Sequence, residues 1–305
     1  MSARTFALLL VTWLAFGSVF LAAKIAVGLM PPLAIACVRF LLAGAILCAI
    51  ATREGSAGPD PVGRPQILTS IAIGAAMAFV NGMVMISSTA MDSWIVSVLT
   101  CTIPLWSYAA SVAFAHRPVQ PAEVFGVLCG FGGIVVLLWP GHEAIHISLP
   151  FSLVLLAGAM VWGATTVWER GARIPKRPLL AIGLQSVFAG VWLLVWSAGA
   201  GELHGLDAAA FFTPAALAAI AYLVLIATVL GYGAYMLLIV RSGATIANSF
   251  GYVAPAIAVL LGWVVLHEAV TMRTFAGFVL IVLAVTLIIA PHPLRRGDPL
   301  PHRAH

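Results

Sequence analysis

A chain of 305 residues that is 62% hydrophobic and only 8% charged has too few polar side chains to clothe a water-facing surface, because soluble domains carry about a quarter charged residues. A water-soluble fold is therefore excluded, and the class is a polytopic membrane protein. The formal net charge of +5 then marks cytoplasmic loops rather than a nucleic-acid partner, which its distribution can test.

Crossing the hydrocarbon core takes about 20 mostly apolar residues. Ten such stretches follow one another, at roughly 5–28, 32–51, 66–89, 93–115, 122–139, 150–169, 178–198, 214–240, 244–266 and 273–290. The expected fold is an all-α polytopic membrane protein of ten transmembrane helices. The first stretch is too long for a signal peptide and lacks a small-residue cleavage site before Lys24, so it stays as a signal anchor. The four cysteines, Cys37, Cys48, Cys101 and Cys129, lie singly in apolar runs without C-x-x-C spacing. They read as small buried hydrophobes.

The connections are short and carry the charge. With the N-terminus inside, Arg4, Arg53, Arg64, Arg117, Arg170, Arg173, Lys176, Arg177, Arg241, Arg295, Arg296 and Arg303 all fall on the inner side, against Arg273 alone outside. Both termini are thus expected in the cytoplasm, with an even span count. Residues 1–291 form one transmembrane domain and 292–305 a cytoplasmic tail.

Between the fifth and sixth spans, His142-Glu143-Ala144-Ile145-His146 matches the H-E-x-x-H zinc-protease pattern. Such a site needs both histidines one turn apart on a stable helix and a third ligand. This segment follows Trp139-Pro140-Gly141, a helix-ending sequence, in a short outer connection. It reads as a polar turn, and neither metal nor cofactor is expected. An intramembrane zinc protease is the competing reading from another class.

The chain repeats itself. At an offset of 151 residues, Ala76–Pro140 aligns with Ala227–Pro291 without a gap, pairing Gly82 with Gly233, Pro104 with Pro255, His116 with His267, Gly126 with Gly277 and Pro140 with Pro291. A slightly smaller offset pairs Gly17 with Gly163 and Lys24 with Arg170. Coincident glycines and prolines indicate one fold used twice, about 1–145 and about 146–291. Five spans per half is odd, so the second half enters from the opposite side, giving the inverted repeat of many secondary transporters.

Phe16-Gly17-Ser18, Lys24, Pro31-Pro32 and Arg39-Phe40, followed by Pro255, Glu268 and Gly277, resemble the drug/metabolite transporter superfamily and its EamA-type ten-span members. In the first half Pro104 and Gly126 fit the second signature, but Arg117 stands at its acidic position, and Phe16 replaces the usual Trp. The resemblance implies a bacterial inner-membrane carrier with a central cavity between its halves. Such carriers often export amino acids and related metabolites. The expected function is alternating-access export of neutral or aromatic amino acids. An uptake permease for another small metabolite, such as a vitamin or sugar-linked compound, and a cationic-drug exporter are the alternatives on the same fold. No P-loop is present to couple transport to ATP. The expected partners are a small-molecule substrate and the lipid bilayer, with no nucleic acid, for a monomer or weak homodimer.

Ionisable groups inside a bilayer are costly. Arg39 either packs structurally or faces the cavity and meets substrate. Lys24 reads as an anchor snorkelling to the outer interface, and Glu268 has a structural or charge role. Asp92, Glu123 and Glu268 all fall at span ends, so no mid-span proton carrier is visible. A proline inside a helix frees a carbonyl and bends the axis, which makes Pro104 and Pro255 the gating or hinge candidates. The polar and aromatic groups near them are the cavity candidates: Asn81, Trp94, Ser97, Thr100, Trp162, Thr165, Tyr232, Asn248, Ser249 and Tyr252, with Gln185 beside them. Ser and Thr equally often bond their own helix backbone. The stripe Gly126, Gly130 and Gly133 reads as close helix packing within the monomer, and Trp139 and Trp168 as interface belt residues.

Overall fold

A computed structural model of the chain describes residues 3–53, 62–115, 121–139, 146–169, 171–204, 206, 208–242 and 250–289. Among them the secondary structure is entirely helical: α1 (Ala3–Val27), α2 (Pro32–Arg53), α3 (Arg64–Ala90), α4 (Ser93–Thr100), α5 (Ile103–Ala115), α6 (Pro121–Leu138), α7 (Leu149–Glu169), α8 (Pro178–Gly199), a short 3-10 turn (Ala208–Phe212), α9 (Pro214–Ala221), a π-helical segment (Tyr222–Leu230), α10 (Gly231–Ser242), α11 (Phe250–Leu266) and α12 (Met272–Ile289). Proline opens α2, α6, α8 and α9 and stands second in α3, where its missing N–H costs nothing. Seven described helices or helix pairs are long and apolar enough to cross a membrane, and α6, α11 and α12 contribute shorter apolar segments. Large apolar side chains such as Leu14, Leu128 and Trp263 point outward, as they do on a helix whose solvent is lipid.

Equivalent helices of the two repeats pack on each other. An offset of 146 carries α2 onto α8, and 151 carries α6 onto α12, end to end. A Cβ on Gly44 would lie 2.7 Å from Val187 N, and one on Gly190, the equivalent of Gly44, would lie 2.6 Å from Leu41 Cγ, Leu41 being the equivalent of Val187. The α6–α12 crossing is reciprocal in the same way: Gly130 meets Ala284, and Gly133 meets Ile281. Partner numbers fall as residue numbers rise, so equivalent helices cross antiparallel. Gly130 and Gly133 of the glycine stripe are thus spent within the chain, against α12 of the other repeat and Leu105 of their own. Helix one of each repeat also packs on helix four of the other, with Gly17 against Ile257 and Gly163 against Trp106. Glycine is required where backbones approach this closely.

Two interruptions break the correspondence. Pro104 cannot donate to the carbonyl of Thr100, and the fourth span divides there into α4 and α5 across Cys101–Thr102. Its equivalent, Pro255, sits inside an unbroken α11. In helix three, α3 is regular, whereas its equivalent rod is π-wound over Tyr222–Leu230, with Thr228 Oγ1 donating to Leu223 O at 2.8 Å.

Candidate functional site

One end of the bundle is tied by charged side chains set against helix termini. Glu268 is buried, and its carboxylate accepts from Ser93 N at 2.7 Å, Ser93 Oγ at 2.8 Å and Trp94 N at 3.5 Å. It caps the start of α4 from the other repeat, where a negative charge meets the helix dipole favourably. Glu202 caps α2 in the same manner, accepting from Leu33 N, Ala34 N and Ser197 Oγ. Lys24 Nζ donates to Met91 O at 2.8 Å and Arg273 Nη1 to Trp139 O at 2.6 Å. Lys24 thereby ties α1 to the α3–α4 turn. The carboxylate of Asp92 accepts from His146 N and contacts Nδ1, both at 3.2 Å. This is the only part of the H-E-x-x-H stretch within the described residues, and there the histidine serves the α3–α4 turn.

The interior between the repeats holds a second polar set. Arg39 on α2 is 4% exposed, and its Nε donates to Thr228 Oγ1 at 2.8 Å, on the π-helical segment. Its guanidinium carbon lies 4.8 Å from the Phe40 ring centroid. Alongside, Tyr222 Oη donates to Ser18 Oγ at 2.6 Å. Phe16 of α1, Tyr232 and Tyr235 of α10, and Phe250 of α11 form an aromatic cluster, with Phe16 at 5.2 Å from Tyr232 and 4.8 Å from Phe250 between centroids. Edge-to-face packing of this kind fixes ring orientation. Beyond the tyrosines, Gln185 Nε2 of α8 donates to Glu169 Oε1 of α7 at 3.0 Å. π-helical turns within α-helices occur frequently at functional sites.

The sequence candidates divide into three groups. Tyr232 joins the aromatic cluster, and Trp162 packs half-buried against the same core. Asn81, Thr100 and Thr165 donate to the carbonyls of Met77, Val96 and Val161 on their own helices. Trp94 and Ser97 are fully buried in α4, and Trp94 Nε1 and Ser97 Oγ have no hydrogen-bond partner among the described residues. Asn248 and Ser249 lie outside the described residues, as does the side chain of Tyr252, whose backbone belongs to α11. Glu123 has a described backbone only.

Sequence reasoning missed Glu169, Thr228, Phe16, Tyr235 and Phe250 as members of the interior set. Glu169 is the last residue of α7, a position that carries no sequence signal for an interior group. The 146-residue offset that matches Pro32 to Pro178 also matches Arg39 to Gln185, but it equates Glu169 with Ala23 and so carries no signal for the Glu169–Gln185 pairing.

The sequence model of the EamA-like transporter family matches this chain twice, over residues 4–139 and 150–290. The uncharacterised inner membrane transporter YedA of Escherichia coli (strain K12) is 31% identical over 287 residues, covering 93% of this chain and 90% of YedA. The uncharacterised transporter YvbV of Bacillus subtilis (strain 168) is 23% identical, covering 87% and 85%. A probable amino-acid metabolite efflux pump of Salmonella typhimurium is 22% identical, covering 95% of each chain. A solved crystal structure shares the fold, with a TM-score of 0.65 at 19% identity over 94% of this chain and 97% of its own. With two family matches over the two halves, and helices built to face lipid, the chain belongs to the EamA-like transporter family of the drug/metabolite transporter superfamily and is a multi-pass inner-membrane transporter.

Proposed function

We propose that this transporter is a secondary carrier exporting neutral or aromatic amino acids by alternating access, through ten spans in two inverted five-helix repeats with both termini in the cytoplasm. The observation that carries the reading is the reciprocal packing of equivalent helices, Gly44 on Val187 with Gly190 on Leu41, and Gly130 on Ala284 with Gly133 on Ile281. Two similar halves crossing antiparallel can exchange conformations and present an interior site first to one face and then to the other. The orientation rests on the distribution of Lys and Arg, which puts the Glu268 end outside. Amino-acid export is supported by the relative named as an amino-acid metabolite efflux pump and by an interior that combines aromatic walls with a few polar groups. The monomer is the working unit in this reading, since Gly130 and Gly133 of the stripe already have their partners within the chain.

The test is counterflow in liposomes. Vesicles containing purified protein are preloaded with unlabelled phenylalanine and placed in a trace of labelled phenylalanine. Protein-dependent accumulation of label, absent from vesicles without the preload, is the expected result. A folded protein that exchanges no member of a broad amino-acid panel sinks the substrate assignment and turns the search to vitamins, sugars and cationic drugs.

A further inference from the structure

The two fourth spans meet at one end only. There α4 packs on α11, and Trp94, Val98 and Leu99 share an apolar cluster with Ala258. Beyond the break at Cys101–Thr102, α5 has no interface of comparable extent with α11 among the described residues and lies on α7 instead. Glu268 closes the end where the spans meet. Its carboxylate reaches across to Ser93 N at 2.7 Å and Ser93 Oγ at 2.8 Å. Three features deliver it there. His267 has a left-handed backbone, with φ 53°, which is uncommon for a residue with a side chain. Glu268 N then donates back to Gly262 O at 3.1 Å. Gly262 leaves the space, since a Cβ there would strike Glu268 Oε2 and lie 3.1 Å from Ser93 Oγ.

The sequence provides no counterpart for this contact in the equivalent positions. At the 151-residue offset Glu268 corresponds to Arg117, Ser93 to Ala244 and Gly262 to Ser111. A guanidinium cannot accept from an N–H, and alanine has no hydroxyl to offer. One end of the bundle can thus be fastened between the fourth spans in a way the other cannot. Closure also has an opposing cost. Within the turn of α4 next to the contact, Trp94 Nε1 and Ser97 Oγ are fully enclosed with no hydrogen-bond partner among the described residues. A buried unpaired polar atom is costly, and water reaching it restores a partner. The Glu268–Ser93 contact therefore favours closure, and the two unpaired groups favour opening. A two-state element needs such opposed terms, because an end with favourable contacts alone stays shut.

We propose that Glu268, Ser93 and Gly262 form the latch of the outer gate, a contact between the fourth spans that holds the outer end closed and breaks each time the carrier faces out. This rests on the alternating-access reading above, with its orientation, and adds the residues that decide which face is open. They are positioning residues and touch no substrate. Glu202 caps α2 in a similar way, but it serves the α2–α8 axis. The latch instead joins two spans that part beyond Cys101–Thr102.

The test reads the exposure of residue 97, one helical turn along α4 from Ser93. Ser97→Cys is made in the full-length protein with its four native cysteines replaced by alanine. A membrane-impermeant maleimide is applied to spheroplasts, which present the outer face, and to inside-out vesicles. With the latch intact, labelling from outside is slow. Glu268→Ala should raise the outside rate at least roughly tenfold, the equivalent of one charge-assisted hydrogen bond, and leave the inside rate unchanged. Ser93→Ala removes the hydroxyl and Gly262→Ala displaces the carboxylate. Both should shift the outside rate in the same direction, and they carry the test should Glu268→Ala fail to fold. An outside rate unchanged in all three variants overturns the latch. So does a rise that is equal from both faces, which marks loosening of the whole bundle. A rise from the inside alone overturns the orientation and the outer gate together. Labelling needs no substrate, so it is independent of phenylalanine counterflow. Exchange of phenylalanine with unchanged labelling overturns the latch and spares the proposed function. Faster outside labelling in a protein that exchanges no amino acid supports the latch and overturns the amino-acid assignment.

Discussion

In the first repeat, α3 is regular from Arg64 to Ala90 and the fourth span is broken at Cys101–Thr102; in the second, helix three is π-wound over Tyr222–Leu230 and α11 runs unbroken through Pro255. The helices at the repeat crossings, α2 with α8 and α6 with α12, match residue for residue. Similarity is therefore kept where helices cross their own equivalents, and the two interruptions lie in helices three and four, the latter packed on helix one of the other repeat. Packed glycine crossings tolerate little change, whereas an interrupted helix leaves backbone groups free to be satisfied in more than one way. A carrier that alternates needs both properties, a fixed axis and helices that can differ.

The sharpest way to break the comparison is at the axis. Gly44→Leu puts a side chain against the backbone of Gly183 and Val187, with the first added carbon already 2.7 Å from a backbone nitrogen. Backbone cannot rotate away as a side chain can, so the cost exceeds the usual 1–3 kcal/mol of overpacking. The expected outcome is loss of a monodisperse peak in detergent chromatography. Gly132→Leu, at a position with nothing within 4 Å, should elute and melt as the wild type does. Equal behaviour of the two variants would remove the crossing from the account.

The next effect lies at the tied end. Glu268→Ala leaves the buried amide and hydroxyl of Ser93 without their acceptor, and an unsatisfied buried donor costs about 1–3 kcal/mol. A melting temperature lowered by several degrees in a thermal-shift assay is expected. Glu268→Gln retains an acceptor and should lose less. A melting temperature unchanged by Glu268→Ala would mean that Ser93 finds water, and that α4 is not held by the other repeat.

Thr228→Val sharpens the contrast between α3 and its π-wound equivalent. It removes the acceptor of Arg39 Nε and the bond to Leu223 O at once, for about 1–2 kcal/mol. Thr228→Ser restores both. Loss in the first and recovery in the second, measured by thermal shift, identifies the hydroxyl as the group responsible. Equal loss in both assigns the effect to packing of the methyl.

Apolar length made the spans legible in sequence, and coincident glycines and prolines made the repeat legible, because both are dictated by local chemistry. Glu268 was not legible as a buried group, nor Glu169 as a hydrogen-bonded one, since a residue at a span end reads as solvated until a partner from another helix is placed beside it. The π-helical stretch Tyr222–Leu230 is as apolar as any α-helical span here and carries no compositional mark. The break after Thr100 and the continuity through Pro255 have the same proline signal, so the sequence could not tell them apart. Asn81, Thr100 and Thr165 were nominated for polarity at mid-span, and each turned out to bond its own helix. Polarity inside a membrane thus identifies groups that need a partner without saying whether the partner is substrate or backbone.

The prolines give the smallest expected change in stability and the most direct reading of the asymmetry. Pro104 stands in the first turn of α5, where a proline fits, so Pro104→Ala should move the melting temperature little. Pro255 stands within α11 and denies a hydrogen bond to the carbonyl of Gly251. Pro255→Ala can restore that bond and should stabilise the protein, by about 1 kcal/mol. If alternation requires α11 to open as the fourth span of the first repeat is open here, the same substitution should slow counterflow while leaving phenylalanine binding unchanged. Stabilisation without slowing would mean that Pro255 never becomes a break, and that the two fourth spans differ in every state of the cycle. Slowing by both alanine variants would mean that the break exchanges between them, which is what two repeats changing places requires.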